Sequence, residues 1–137
     1  MADLKPMALT VVTPNDKAFE AKVKFISGRA LDGDFGFYPN PAPHVVALDI
    51  AELDVTDQDD KKYKLAIFGG FLEIDKNQAT LVTPNCEVPE FIDPERAQRA
   101  RQRAEERLAA DRDDVDVSRA RAALKRALLR IDITSGL

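Results

Sequence analysis

Apolar residues in this chain keep a period of two as far as Val82 and a helical period beyond Pro84, and one layer of secondary structure cannot serve both. In the first part Ala21, Val23 and Phe25 alternate with Glu20, Lys22 and Lys24. Tyr63, Leu65 and Ile67 interleave with Lys62, Lys64 and Ala66, and Leu72 and Ile74 alternate with Phe71 and Glu73. These segments predict strands with one buried face. Turn chemistry separates them at Thr13-Pro14-Asn15-Asp16, Asp32-Gly33-Asp34, Asp57-Gln58-Asp59-Asp60 and Asp75-Lys76-Asn77-Gln78. Many short strands at close spacing imply a sandwich or a flattened barrel.

Past a linker over 85–92, no proline follows Pro94. Asp93 is placed to cap a helix whose first residue is that proline, where a missing N–H costs nothing. Ala97, Ala100, Ala104 and Leu108 form a narrow apolar stripe, with Arg96, Arg99, Arg103 and Arg107 beside it. An acidic turn, Asp111-Arg112-Asp113-Asp114, precedes a second helix capped by Asp116. Its seam runs through Val117, Ala120, Leu124, Ala127 or Leu128, and Ile131. The expected architecture is an all-β domain over 1–84 followed by an antiparallel α-helical hairpin over 93–137. An alanine seam lets helices approach closely but buries little area, at ~25 cal/mol per Å² of apolar surface. Such a hairpin is marginal, and marginal elements can switch.

With 137 residues the chain can build one core plus an appendage, and the longest apolar run falls well short of the ~20 residues that span a bilayer. No secretory stretch opens the sequence, so a cytosolic setting is expected. Cys86 is the lone cysteine and fits packing better than chemistry. The net charge of −4 hides an asymmetry: residues 1–90 hold 9 basic and 15 acidic side chains, residues 91–137 hold 11 and 9. Lysine supplies nearly all the positive charge of the first part, and arginine, with its planar fork for carboxylates and phosphates, that of the second.

Four segments resemble the F-type ATP synthase epsilon family along essentially the whole chain. They are Leu9-Thr10-Val11-Val12-Thr13-Pro14, Asp32-Gly33-Asp34-Phe35-Gly36-Phe37-Tyr38-Pro39, Gly69-Gly70-Phe71 and the two-helix tail. The resemblance implies a ten-stranded sandwich of two five-stranded sheets that grips the gamma subunit and rests against the c-ring, through Asp34, Phe35, Gly36 and Pro39. Its hairpin either folds down on the sandwich or extends along gamma. Extended, it obstructs ATP hydrolysis by contacting the alpha and beta subunits, with Arg119, Arg121, Lys125, Arg126 and Arg130 facing an acidic loop of beta. Where the family has a Pro-Gly-His-Ala-Pro-like segment this chain has Pro39-Asn40-Pro41-Ala42-Pro43, with His44 displaced beyond it.

Ile92-Asp93-Pro94-Glu95-Arg96-Ala97 also matches the Ile/Leu-Asp-x-x-Arg-Ala pattern of ATP-binding members. By that likeness ATP, with or without Mg2+, is a regulatory ligand held by Glu87, Ile92, Asp93, Arg96, Ala97, Arg103, Arg126 and Arg130. Phosphates want arginine forks and adenine an apolar shelf near Ile92, while Glu87 or Asp93 accepts from the base amine or orients an arginine. A ligand bridging both helices would favour the folded-down state. The implied protein is non-catalytic, monomeric when isolated, and peripheral on the cytoplasmic face of the bacterial membrane without inserting into it. The complex it joins moves protons or sodium ions.

Plainer roles compete at each position. Asp93 serves as a cap in any case. The arginines can be a solvated face paired with Glu95, Glu105, Glu106 and Asp111, such pairs being worth roughly 0–1 kcal/mol each. His44, the only histidine, builds no metal cage, and Gly69-Gly70 lacks phosphate-loop spacing and fits close backbone packing. No nucleophile–base pair marks an enzyme. The interleaved acids and acidic total oppose a nucleic-acid-binding hairpin.

Overall fold

The computed structural model describes residues 5–110, 113 and 115–135. The chain divides into two compact units, Met1–Glu87 and Val88–Leu137. The first holds seven strands: β1 (Met7–Val12), β2 (Lys17–Ala30), β3 (Gly33–Phe37), β4 (His44–Asp57), β5 (Lys62–Asp75), β6 (Gln78–Val82) and β7 (Cys86–Glu87). They bond in the order β1-β6-β5-β4-β2-β3, with β7 on β5, and β1 also pairs with β2, which closes the sheet on itself. The core is formed by Met7, Leu9 and Val11 of β1, Val23 and Ile26 of β2, Leu53 and Val55 of β4, Leu65, Leu72 and Ile74 of β5, and Leu81 of β6. The predicted alternation breaks twice: a register shift after Val23 buries Ile26 and leaves Phe25 half-buried, and Ala66, expected to face outward, is fully buried.

Three strands, β2, β4 and β5, each run for 14 residues. At ~3.3 Å per residue such a strand is about 46 Å long, whereas a unit of this size is only about 30 Å across. Each must therefore bend and serve both layers. Between Ser27↔Asp54 and Ala30↔Leu48, three steps along β2 are matched by six along β4, so the two strands part company there. In β5 the bend falls at Gly69 and Gly70, whose φ of 85° and 105° suit only glycine. Where the resemblance implied ten strands in two five-stranded sheets, the described residues form seven in one sheet, three of them long. The turns at Thr13–Asp16 and Asp57–Asp60 lie where turn chemistry placed them. Asp57 Oδ1 accepts the N–H groups of Asp59 at 2.8 Å and Lys61 at 2.9 Å. The β2–β3 reversal is one step tighter than expected, because Gly33 and Asp34 already belong to β3.

The segment 85–92, predicted as a linker, is built into the two units. Cys86 and Glu87 pair with Ile67 and Ala66 of β5, and Pro89–Phe91 form one 3-10 turn that packs on the second helix. In the second unit α1 (Pro94–Ala109) and α2 (Val117–Thr134) lie against each other. Both predicted caps are present: Asp93 Oδ1 accepts from Glu95 at 3.0 Å and Arg96 at 3.3 Å, and Asp116 Oδ1 from Arg119 at 3.0 Å. Ala97, Ala104, Ala120 and Ala127 are the buried seam. Leu128, weighed against Ala127 for the seam, is instead exposed, and the last turns of α2 bury Leu129 and Ile133 rather than Ile131. Of the acidic turn expected over 111–114, Asp113 alone is among the described residues.

Candidate functional site

In the sandwich unit the candidate contact residues sit on β3 and the loop that follows it. Gly28 to Ala30 pair with Phe35 to Gly33, a short hairpin whose far end is also held to β4 through Ala30 and Leu48 and which leaves Asp34 exposed near its turn. Arg29 Nε lies 3.3 Å from Asp34 Oδ1, a surface pair that orients the carboxylate more than it stabilises the fold. Phe35 is half-buried and stacks at a tilt on Phe37, ring centroids 5.7 Å apart. A Cβ on Gly36 would come within 2.9 Å of the outer edge of the Phe25 ring, which would have to turn aside to admit it. Pro39 is buried, so its ring fixes the exit of β3, while the preceding Tyr38 is exposed and leans on Phe25 at 4.6 Å.

A second feature of this unit escaped the sequence reading. Val12 is the register partner of Val82, Val82 of Phe71, and Phe71 of Ala47. The N–H of Leu31, in the turn after β2, donates to the Ala47 carbonyl at 2.9 Å, carrying the row one residue further. Register partners point to one face, so Val12, Val82, Phe71 and Ala47, with Leu31 at the end, form an outward apolar row across four strands and a turn. Its largest members are open to solvent, Leu31 at 70% and Phe71 at 59%, with Val45 beside them at 74%. A contiguous exposed patch of this kind marks an interaction surface. The sequence signal was present in the apolar residues at outward positions of the alternation, but it could not be assembled without the register.

Glu87 also belongs to this unit. Its β5 partner, Ala66, is flanked on the other side by Glu52 of β4. Asn85 Nδ2 donates to Glu87 Oε2 at 2.9 Å. The Glu52 carboxyl is pushed above the ordinary carboxylate range by burial and then by the nearby Asp54, against the pull of Lys64 at 3.4 Å. Burial, and after it the charge of Glu87, pushes the Cys86 thiol up to about 11, which keeps it protonated and unreactive at neutral pH, as a packing role requires.

The other candidates lie in the hairpin unit. Ile92 is half-buried, and its N–H donates to the Pro89 carbonyl at 3.1 Å. Asp93 is exposed, and both of its cap bonds use Oδ1. Ala97 is buried in the seam, so it sets the closeness of the helices. Setting buried Ala97 opposite Ala127 and Ala104 opposite Ala120 satisfies all four with a single antiparallel register. At ~1.5 Å rise per residue, that register sets Arg126 level with Gln98, and Arg130 level with Pro94. Arg126 and Arg130 therefore share the end of the hairpin with Asp93 and Arg96, while Arg103 lies about two turns away. Arg126 and Arg130 are half-buried, whereas Arg119, Arg121 and Lys125 are exposed along α2. On α1, Arg101 Nε meets Glu105 Oε1 at 2.6 Å, as the paired-face reading expects. Among the described residues no group of three or more metal-ligating side chains converges, and no helix is long and apolar enough to cross a membrane.

Comparisons with known proteins agree with this division of the chain. Residues 6–89 match the family model described as ATP synthase, Delta/Epsilon chain, beta-sandwich domain, and residues 90–135 match the corresponding long alpha-helix domain. The chain is 38% identical over 130 residues to the ATP synthase epsilon chain of Bacillus velezensis, covering 95% of this chain and 98% of that one. With the ATP synthase epsilon chain of Natranaerobius thermophilus it shares 40% over 129 residues, covering 93% and 92%. Its fold resembles a chain of the Euglena gracilis mitochondrial ATP synthase OSCP/F1/c-ring structure at a TM-score of 0.82 and 21% identity, over 90% of this chain and 78% of that one. A weaker likeness, TM-score 0.63 at 12% identity, is to a chain of the Tetrahymena thermophila mitochondrial ATP synthase central stalk and c-ring, over 96% and 98%. With both domain models matched in order and relatives above 30% identity over nearly their whole length, this chain belongs to the ATP synthase delta/epsilon family and is an epsilon chain of an F-type ATP synthase.

Proposed function

We propose that this epsilon chain is a central-stalk subunit which joins gamma to the c-ring through its sandwich and restrains ATP hydrolysis through its hairpin, without a catalytic site of its own. The observation that carries this reading is the pairing of a closed sandwich with a distinct hairpin unit whose seam is lined by four buried alanines. The outward row of Val12, Val82, Phe71, Ala47 and Leu31 supplies the apolar area a permanent grip on gamma needs, and the exposed Asp34 of the β2–β3 hairpin supplies a polar contact for the c-ring. As part of the central stalk, the chain works at the cytoplasmic face of a bacterial membrane without entering it. The exposed Arg119, Arg121 and Lys125, with Arg126 and Arg130, give α2 the basic face that an acidic loop of beta would meet in the extended state.

ATP is the regulatory ligand in this reading. The donor set fits a polyphosphate: Arg96 from α1 and Arg126 and Arg130 from α2 share one end of the hairpin, each a planar fork suited to phosphate oxygens. Asp93 can cap with Oδ1 and orient an arginine or accept from the base with Oδ2. A ligand spanning both helices adds its binding energy to the closed hairpin alone, which is what shifts a marginal equilibrium.

Two measurements test the proposal. A chain ending at Glu87 should still assemble and couple, while ATP hydrolysis by the assembled enzyme rises; unchanged hydrolysis would sink the inhibitory role. In calorimetry with ATP, with and without magnesium and with GTP as control, Arg126→Ala should weaken binding. Absence of saturable binding at millimolar ATP would reduce Asp93 and its arginines to a helix start and a charged face.

A further inference from the structure

Asn77 ties together three segments that are remote in sequence. It sits in the β5–β6 turn at φ 60°, beside Lys76 at 49°. Its Oδ1 accepts the N–H of Asn40 at 2.6 Å. Its Nδ2 donates to the carbonyls of Lys5 at 3.3 Å and Pro6 at 3.1 Å, just ahead of β1. Its own carbonyl accepts from Ala8 at 3.2 Å. The three side-chain bonds fix the orientation of the amide, since only the oxygen can accept and only the nitrogen can donate.

Asn40 matters because of the loop it belongs to. Across Pro39-Asn40-Pro41-Ala42-Pro43 only Asn40 and Ala42 possess an N–H at all. Asn40 also holds a left-handed φ of 59°, a conformation asparagine tolerates better than most residues. Tyr38, leaning on Phe25, and the buried Pro39 hold the loop at its start. At its far end His44 Nδ1 lies 2.7 Å from the Ala42 carbonyl. The bond from Asn40 to Asn77 fastens the middle of the loop to a neighbouring turn, and β3, with Asp34, Phe35 and Gly36, runs directly into that loop.

We infer that Asn77 is a positioning residue: through the Asn40 N–H it sets the posture of the Tyr38–Pro43 loop and thereby of the β3 residues presented to the rotor partners. The inference rests on the reading of those residues as a partner contact. It assigns to the β5–β6 turn a part in recognition that its sequence, a plain Asp-Lys-Asn-Gln reversal, does not announce.

Two substitutions separate positioning from simple clamping. Asn77→Gly accepts φ 60° but removes all three side-chain bonds. Asn77→Asp accepts the same backbone, keeps an acceptor for Asn40, and sets a carboxylate oxygen against the Lys5 and Pro6 carbonyls, which breaks that clamp outright. In the full chain, amide exchange at Asn40 should quicken about fivefold or more in Asn77→Gly, the scale of one lost hydrogen bond, and stay near the parent rate in Asn77→Asp. Affinity for a gamma–c-ring subcomplex prepared without this chain should fall about five- to tenfold in Asn77→Gly and stay close to the parent in Asn77→Asp. Asp34→Ala, measured in parallel, should also weaken binding. If Asp34→Ala weakens binding and Asn77→Gly does not, the positioning role is overturned while the contact stands. It is overturned equally if Asn77→Asp, with Asn40 exchange still near the parent rate, is as damaging to binding as Asn77→Gly, because the effect then belongs to the clamp on Lys5 and Pro6. If Asp34→Ala leaves binding unchanged, the contact reading itself has failed and the inference falls with it.

Discussion

Replacing Gly70 by alanine should unfold this sandwich far more readily than the same change one residue earlier. Both glycines have positive φ, 85° at Gly69 and 105° at Gly70, so alanine at either pays a backbone strain of roughly 1–3 kcal/mol. Their surroundings differ. At Gly69 the nearest atom to a Cβ is the Leu48 carbonyl oxygen at 3.8 Å, an ordinary contact. At Gly70 the Cβ would fall inside the van der Waals shell of the Val82 carbonyl oxygen and 2.9 Å from the Thr83 Cα. Those are main-chain atoms, which cannot rotate away. The end of β6 must shift, and with it the Thr83 N–H bond to Val12 at 3.0 Å and the pairing of Phe71 with Val82. Each strained or broken buried bond costs about 1–3 kcal/mol. Gly70→Ala should therefore lose about 3–5 kcal/mol and Gly69→Ala about 1–3 kcal/mol, against a total stability of about 5–15 kcal/mol for a domain of ordinary stability. Urea unfolding followed by tyrosine fluorescence is the suitable assay. The chain has no tryptophan, and both tyrosines, Tyr38 and Tyr63, lie in the sandwich unit, so the signal ignores the hairpin. Equal destabilisation by the two substitutions would refute the argument that close backbone packing, and not φ alone, selects glycine at position 70.

Three further outcomes are expected. Asp93→Ala removes the α1 cap and should cost about 1 kcal/mol, read as faster amide exchange at Glu95 and Arg96 with no change in the tyrosine transition. Ala127→Leu forces a larger side chain into a seam where the alanine is fully buried, so hairpin helicity should melt earlier by about 1–3 kcal/mol; an unaltered helical melt would mean the helices do not pack through that residue. For Cys86, a thiol raised from 9.0 to about 11 holds two powers of ten less thiolate than an ordinary one at pH 8. Its reaction with a thiol reagent should be about a hundredfold slower in the folded chain than in urea. The folded state binds this proton more tightly than the unfolded one, so the stability linked to it is full below pH 9.0 and is lost as pH rises toward about 11. Serine at position 86 should abolish that part of the alkaline decline.

Local chemistry was legible from the residues. The switch of period at Pro84, the caps at Asp93 and Asp116, the turns at Thr13–Asp16 and Asp57–Asp60, and the alanine seam all depend on neighbours within a few positions, where side-chain type and backbone preference act directly. The family motifs added the identity of the candidate residues at the hairpin entry, and Asp93 is the one among them whose structural role a sequence argument could state in full.

What tertiary structure alone decided are relations between distant residues. Strand register puts Val12, Val82, Phe71 and Ala47 in one row, with Leu31 at its end, and a slip of one residue would send a strand's members to the opposite face. The length of β2, β4 and β5 became visible only as strands that bend between layers, because a bend within a strand carries no turn motif beyond a glycine pair. Residues 86 and 87, polar and cysteine-bearing, look like linker until their pairing with Ile67 and Ala66 places them in the sheet. Asn77 and Asn40 stand 37 positions apart. Nothing local marks either as a partner, since a hydrogen bond across such a separation exists only after the sandwich has closed around it.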